Sequence, residues 1–225
     1  AFNKALEVYE RALTIAQETA MWRVQAIVLT GMGDVYRDLG QFDQAFSAYN
    51  EARPIAERAS EAWLVSYILD ALGQTYILTG DYVRAGELIR QAYDQARERR
   101  SRQAATLFFA SLGVLAYERG EPKTAIAHLT EAVDVLKEIG ARRDLPRIRL
   151  HLAHAYYLDG QWNMALQTLD AVMADVTALG YDQFLEPTAR RMKPFLRMAL
   201  RQKTDDVVLA GFVGRVESAV PTSVP

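Results

Sequence analysis

Two of the three histidines in this sequence have a spacing that could support chemistry. His151 and His154 are three residues apart in a run of helical periodicity, and this spacing can place two imidazoles on one face of a helix. Such a pair could ligate a metal ion, or it could belong to an ordinary polar face. The chain has no cysteine, which excludes thiolate nucleophiles and cysteine-based zinc sites. We predict no metal site and no cofactor.

Sequence motifs of enzymes are absent. The chain has no G-x-S-x-G, no H-E-x-x-H, no phosphate-binding glycine loop and no dinucleotide fingerprint. Gly31-Met32-Gly33 lies within helical periodicity and no strand precedes it, so these glycines do not predict a phosphate site. The sequence therefore predicts a protein that is not an enzyme.

Arginine is concentrated at two places, 97–102 and 142–149. A basic edge of this kind could dock an acidic partner or a phosphate group, but arginines at helix ends also favour the negative end of the helix dipole. Both readings stay open. The whole chain has 26 Lys and Arg against 28 Asp and Glu, a net charge of −2, and supplies no overall field that attracts phosphate backbones. We expect no direct contact of this domain with nucleic acid.

The composition is that of a globular protein, with half of the 225 residues apolar and 24% charged. No apolar run reaches the ~18 residues of a membrane span, and the first residues lack the pattern of a signal peptide. We expect a soluble, cytoplasmic protein without membrane contact.

A 40-residue repeat organises the sequence. Glycine recurs at this spacing, a small residue stands seven positions before each glycine, and alanine stands five positions after it. Apolar residues between these marks recur at three- and four-residue steps, which predicts helices. Each unit is expected to be a helical hairpin whose first helix ends at the glycine. The recurring glycines are Gly40, Gly80, Gly120 and Gly160. The small residues before them are Gly33, Gly73, Gly113 and Ala153, and the alanines after them are Ala45, Ala85, Ala125 and Ala165.

The register gives the expected organisation of the chain. Residues 1–202 form the array and 203–225 form a capping helix and tail, because an array must cover the apolar face of its last hairpin. Within the array, Pro187 and Pro194 mark the last helix, which is expected to kink near Pro194. The array comprises a half repeat at 2–19, units at about 21–58, 61–99, 101–138 and 142–179, and a divergent helix at 182–201.

This pattern resembles the tetratricopeptide repeat. In the second unit the residues that match its signature are Leu69, Leu72, Gly73, Tyr76, Ala85, Ile89 and Ala92. The resemblance covers about residues 2–180 and implies an all-α, right-handed superhelix of hairpins with about 11 helices. The period exceeds the usual 34 residues, and longer units of this kind resemble the helical sensor regions of large bacterial transcription activators of the maltose-activator and antibiotic regulatory protein classes.

The resemblance also implies where a ligand would bind. Tetratricopeptide arrays generally hold ligands on a concave face built by the first helices, and charged groups of both signs with aromatic rings suit a protein or peptide segment or a small polar effector. A merely solvated face is the alternative. The module is expected to sense an effector within a multidomain bacterial transcriptional regulator, or to act as a stand-alone scaffold or adaptor. The candidate residues are Asp34, Arg37, Tyr67, Asp70, Gln74, Tyr117, Glu118, Arg147, His154 and Tyr157.

The N-terminal half repeat lacks a first helix in this sequence. Leu6 and Leu13 would then lie on an uncovered apolar face, and uncovered apolar surface tends to find a partner. We expect self-association through this end.

Overall fold

The computed structural model describes residues 2–218, apart from the side chain of Asn3. Within this range the secondary structure is entirely helical, which confirms the expected all-α repeat fold. Short 3₁₀ turns occupy Gln183–Leu185 and Arg190–Met192. The α-helices are α1 Phe2–Glu18, α2 Trp22–Asp38, α3 Phe42–Arg58, α4 Ala62–Thr79, α5 Tyr82–Glu98, α6 Arg102–Glu118, α7 Pro122–Glu138, α8 Leu145–Leu158, α9 Trp162–Leu179, α10 Glu186–Ala189, α11 Lys193–Gln202 and α12 Val207–Ser218.

The described chain divides into two compact units. Unit 1 comprises residues 2–111 and unit 2 comprises residues 112–218, so the division falls inside α6. None of the helices within residues 2–218 is long and apolar enough to cross a membrane.

A close approach between two helices holds each hairpin together. A Cβ atom built on Gly33 would lie 2.6 Å from the Tyr49 ring, and one built on Gly73 would lie 2.5 Å from Ile89 Cγ1. In unit 2 the same relation joins Gly113 to Leu129 at 2.9 Å. First and second helices therefore touch where the first helix has no side chain, and the large residue of the second helix fills the space.

A left-handed backbone conformation ends the helices at 20-residue intervals. The glycines at 40, 80, 120 and 160 have positive φ, as the sequence predicted for the ends of first helices, and Gly140 and Gly180 have it at the ends of second helices. At three ends of second helices the same conformation is adopted by other residues, with φ 51° at Ala20, 59° at Ser60 and 57° at Arg100. These positions are strained, because a Cβ atom disfavours positive φ.

The helical segment after α9 is interrupted, whereas the sequence predicted one continuous, kinked helix. The single kinked helix expected at 182–201 is wrong, because α10 and α11 are separate helices joined by the 3₁₀ turn at 190–192. Pro187 and Pro194 each lie in the first turn of one of these helices, where proline's fixed φ is favourable and its missing N–H costs little. Two prolines thus produce two helix starts instead of one kink.

The C-terminal helix completes the core of unit 2. The Asp206 carboxylate accepts a hydrogen bond from the Leu209 N–H (2.9 Å) and caps α12. The apolar side of α12 is buried in a cluster that includes Leu169 of α9 and Phe195 of α11. The residues of α12 in that cluster are Leu209, Phe212, Val213 and Val216. The tail expected after this helix lies outside the described residues.

Replacing Gly73 by leucine tests the helix contact. We expect a loss of roughly 1–3 kcal/mol or more in the free energy of unfolding, measured by urea denaturation, because the new side chain overlaps Ile89. Gly214→Leu on α12 is the matched control, since a Cβ at Gly214 meets no atom within 4 Å. Equal stability of Gly73→Leu and the wild type would contradict the contact.

The helix ends give a second, paired test. Ser60→Gly is expected to raise the free energy of unfolding by about 1 kcal/mol, because glycine adopts positive φ without strain. Gly80→Ala should lower it by a similar amount, although a Cβ there meets nothing within 4 Å. Thermal unfolding of both variants checks the sign, and shifts in the same direction for both would refute the strain argument.

Candidate binding face

Polar side chains of the first helices meet in unit 1. The Tyr67 hydroxyl of α4 donates a hydrogen bond to Asp34 Oδ2 of α2 (2.8 Å), and the Gln74 amide of α4 lies 3.5 Å from the Ser111 hydroxyl of α6. These contacts show that α2, α4 and α6 lie side by side here. We call the set Asp34, Arg37, Tyr67, Asp70 and Gln74 the unit 1 row.

Asp34 is the acceptor on which one end of this row depends. Its Oδ1 accepts a hydrogen bond from the Tyr49 hydroxyl (2.7 Å), and Arg37 Nη1 lies 3.2 Å from the same carboxylate oxygen. Burial raises the pKa of the Tyr49 phenol, so Tyr49 stays protonated and donates. Burial alone would lower the pKa of Arg37, but the charges of Asp34 and Asp38 outweigh it and the pKa is raised. The Asp34 carboxylate therefore orients the hydroxyls of Tyr49 and Tyr67 and pairs with the charged guanidinium of Arg37.

Asp70 is the deeply buried acid of the row, with 5% of its surface exposed. The Gln74 amide donates to its Oδ2 at 2.6 Å, whereas Oδ1 accepts no hydrogen bond from any residue in the described part of the chain. Burial raises the pKa of Asp70 to about 6, although the Ser111 hydroxyl and the Gln74 amide oppose the shift. Asp70 is therefore an anion at neutral pH whose hydrogen bonding is incomplete.

The candidates in unit 2 form a second cluster, in which Tyr117 is buried. Its hydroxyl is hydrogen-bonded to His151 Nδ1 at 2.8 Å. Burial raises the pKa of Tyr117, and burial with the nearby Arg147 charge lowers the pKa of His151 to about 3. The pair is neutral at physiological pH. Tyr117 lies inside the unit and presents little surface to a ligand.

The charged candidates of unit 2 are more accessible. Glu118 pairs with Arg191 at 2.7 Å. Arg147 is exposed, donates to the Phe184 carbonyl oxygen (3.4 Å) and lies 6.0 Å from the centre of the Phe184 ring. No carboxylate within residues 2–218 pairs with Arg147. Its guanidinium is thus a candidate donor to an anionic group.

His154 and Tyr157 belong to an aromatic cluster. His154 packs edge-on against Tyr117 (5.3 Å between centroids), and Tyr157 packs against Phe195 (5.3 Å). Burial, with the charge of Arg191, lowers the pKa of His154 to about 4. Its Nδ1 is buried without a hydrogen-bond partner in the described part of the chain. Tyr157 is half-buried and packs against the core of unit 2.

His151 and His154, three residues apart on α8, make different contacts. His151 Nδ1 is taken by Tyr117, and no group of three or more metal-ligating side chains gathers anywhere in residues 2–218.

Several arginines of the basic edge have structural contacts. Arg99 donates to the Ser66 hydroxyl (2.8 Å), and Arg149 pairs with Asp175. The Arg97 guanidinium lies 5.6 Å from the centre of the Tyr93 ring. These contacts support the structural reading for part of each cluster, while Arg142 and Arg143 remain exposed.

Sequence reasoning missed partners that lie elsewhere in the chain. Tyr49 and Ser111 join the unit 1 row, and Arg191 joins the unit 2 cluster. Tyr49 matched a packing position of the repeat, and Arg191 lies beyond the register. The sequence feature that could have indicated Tyr49 is its place in the repeat, where a residue of the second helix packs on Gly33 of the first helix.

A family model matches part of the chain. The tetratricopeptide repeat model matches residues 2–58 and again residues 24–98. Residues 2–98, less than half of the chain, are therefore similar in sequence to tetratricopeptide repeats. A second model, that of anaphase-promoting complex subunit 5, matches residues 72–161. A search of curated proteins finds no match.

Solved structures with the same fold extend the likeness beyond the matched tetratricopeptide repeats. BtubC (BKLC) from P. vanneervenii has a TM-score of 0.66 at 16% identity, over 100% of this chain and 94% of that chain. A Rap protein complexed with Competence and Sporulation Factor has a TM-score of 0.68 at 12% identity, over 93% and 73% of the two chains.

A third structure is a signal transduction ATPase with numerous domains, with a tetratricopeptide repeat sensor, from Pyrococcus horikoshii. It has a TM-score of 0.68 at 13% identity, over 95% of this chain and 33% of that chain. At such identities the likeness concerns the fold.

The buried carboxyl of Asp70 predicts a pH dependence of stability. Because the pKa of Asp70 in the folded chain, about 6, exceeds the ordinary aspartate value of 3.8, stability falls as pH rises between these two values. Asp70→Asn should therefore be more stable than the wild type at pH 7.5, by roughly 1–3 kcal/mol. The difference should shrink as pH falls from 6 to 4, as measured by urea unfolding. A pH-independent difference would show that Asp70 does not titrate as inferred.

Proposed function

We propose that this chain is a non-catalytic, cytoplasmic interaction or effector-sensing module. It binds a protein or peptide segment, or a small polar effector, on the polar faces of its first helices. We place it within a multidomain bacterial transcriptional regulator, where binding is passed to other domains.

The observation that carries this proposal is the unit 1 row. Two tyrosine hydroxyls and a guanidinium converge on Asp34, and Asp70 lies buried nearby with one oxygen unpartnered among the described residues. Partial burial of polar groups lowers the stability of the fold unless those groups are compensated by hydrogen bonds. A face with no role beyond contact with solvent would not need them. Fixed donors and acceptors beside the exposed Tyr67 ring suit the recognition of a polar ligand.

The structural likenesses support both parts of the proposal. The Rap protein is in complex with a named factor, and the Pyrococcus ATPase carries its tetratricopeptide repeats as a sensor. This chain covers 33% of that ATPase, so the match spans one part of a larger protein.

A stand-alone scaffold or adaptor is the second candidate. It is favoured by BtubC, 94% of which this chain covers. The coding sequence on either side of the chain discriminates the two: an NTPase or helix-turn-helix motif there supports the regulator.

Panning a displayed random peptide library against the immobilised chain tests the binding function. Peptides recovered should bind in isothermal titration calorimetry, and the double variant Tyr67→Ala/Arg147→Ala should weaken them about tenfold or more, because exposed Tyr and Arg are typical binding hot spots. Arg201→Ala is the control, since Arg201 is exposed on α11 and belongs neither to the candidate residues nor to the basic edge. Failure to recover any binder, or equal affinity in the double variant, would count against these faces.

We further propose that α1 mediates self-association. Leu6 and Leu13, which the sequence placed on the uncovered face, are half-buried, and Leu13 packs against the core of unit 1. The exposed apolar residues of α1 are instead Val8 and Ile15, seven residues apart, at 58% and 60%. Sedimentation equilibrium should show association of the wild-type chain. We expect Val8→Glu/Ile15→Glu to abolish it and Val83→Glu, at a valine of α5 that is 67% exposed, to leave it intact. Association that persists in the α1 variant would place the contact elsewhere.

A further inference from the structure

Two aromatic side chains lie exposed on one face of α4. Trp63 is 50% exposed and Tyr67 is 38% exposed. They are four residues apart, so they are neighbours on the helix surface, about 6 Å apart along its axis. Asp70 and Gln74 continue the same stripe of α4. Trp63 therefore extends the unit 1 row by one turn toward the start of this helix.

Both aromatic rings are held at their polar atoms. The Trp63 indole N–H donates to Glu61 Oε2 (2.5 Å), and Arg23 Nε of α2 binds the other oxygen of that carboxylate (2.8 Å). The Tyr67 hydroxyl donates to the Asp34 carboxylate, also of α2. The polar atoms of both side chains are thus satisfied within unit 1, and what the two residues present to solvent is ring surface.

The neighbouring helix α2 adds an aliphatic side chain to this surface. Arg23 and Asp34 connect α2 to the two aromatic residues of α4, and Ile27 lies within about 40° of both around α2. Ile27 is 40% exposed. Ile27 therefore lies on the same face as the points where α2 is joined to the two aromatic residues. We call Ile27, Trp63 and Tyr67 the apolar patch.

The charges beside the apolar patch are matched within the chain, which indicates an uncharged ligand. Glu61 is paired with Arg23, and Asp34 is paired with Arg37 at 3.2 Å. A charged ligand would lose hydration on this surface and would find these groups already paired. An uncharged apolar side chain gains from leaving water without that cost.

The extent of the apolar patch indicates the size of the ligand. Its three side chains together expose on the order of 300 Å². A stable complex of two folded proteins buries about 800 Å² on each partner, so the patch alone is too small for a second copy of the chain. It is large enough for one or two side chains of an extended peptide.

We propose that the apolar patch binds a large uncharged apolar side chain, leucine or phenylalanine, of an extended peptide partner. This assignment names the anchor chemistry of the proposed peptide-binding function and rests on it. Rings that are already fixed lose little conformational freedom on binding, and tryptophan and tyrosine are enriched among residues that dominate binding energy.

The test titrates the folded chain with four blocked tripeptides. The central residue is leucine, phenylalanine, lysine or glutamate, each between two alanines. NMR spectra follow the indole N–H of Trp63 and the methyl groups of Ile27. We expect the leucine and phenylalanine peptides to shift both signals in a saturable way. The lysine and glutamate peptides should bind about tenfold more weakly, because their charged ends must lose hydration.

Matched variants assign the site. Trp63→Ala should weaken the leucine peptide about tenfold. Trp22→Ala should leave its affinity unchanged, because Trp22 is 42% exposed on another side of α2, where Arg58 lies over its ring (4.5 Å). Ile27→Glu should also weaken the peptide, with Val83→Glu on α5 as its control. The Ile27 methyl signals report on the tryptophan variants, and the Trp63 N–H reports on the others. Circular dichroism checks that each variant is folded.

The outcomes separate this inference from the proposed function. Equal affinity for the leucine and lysine peptides, or a Trp63→Ala variant that binds like Trp22→Ala, overturns the inference even if panning recovers peptides. Loss of self-association in Trp63→Ala, measured by sedimentation equilibrium, would assign the apolar patch to a second copy and also overturns it. Saturable binding of the leucine peptide at the patch with no peptide recovered by panning would support the site and count against the proposed function.

Discussion

The fold of this chain depends on one steric constraint, the contact between the two helices of each hairpin. Gly73 lies so close to Ile89 that a Cβ would overlap it, and Gly33 lies equally close to the Tyr49 ring. Without that approach the large residues of the second helices would have no place to be buried. The contact recurs with the repeat, so each hairpin presents its remaining apolar surface in the same way and neighbouring hairpins can pack against it.

The same contact determines which side of each first helix can carry large polar side chains. Because glycine and alanine occupy the side of the first helix that meets its own hairpin partner, another side of that helix is left for larger polar residues. In unit 1 this brings Asp34, Tyr67 and Asp70 within range of one another's charges and hydroxyls. Tyr49 connects the two sides, since its ring packs on Gly33 while its hydroxyl reaches Asp34.

The two units treat their buried polar groups differently. In unit 2 the buried Tyr117 and His151 satisfy one another, and burial keeps both neutral. In unit 1 Asp70 keeps an acceptor that no described residue uses. A neutral hydrogen-bonded pair stabilises a core at small cost, whereas a buried ionised acid with an unpartnered oxygen lowers the stability of the folded state.

The sequence by itself determined the repeat, the helical hairpins and the contact residues, because small residues and glycine at a fixed spacing act through local geometry and through the nearest helix. It also placed all ten candidate side chains on first helices. Only the tertiary structure decided which of them are buried and with whom they pair: Tyr117 turns inward to His151, and Asp70 loses its solvent. It also showed that Ser60 and Arg100 adopt positive φ, where the sequence gives no glycine signal. Register places a side chain on one face of a helix, but burial, pairing and pKa depend on what distant segments bring against that face.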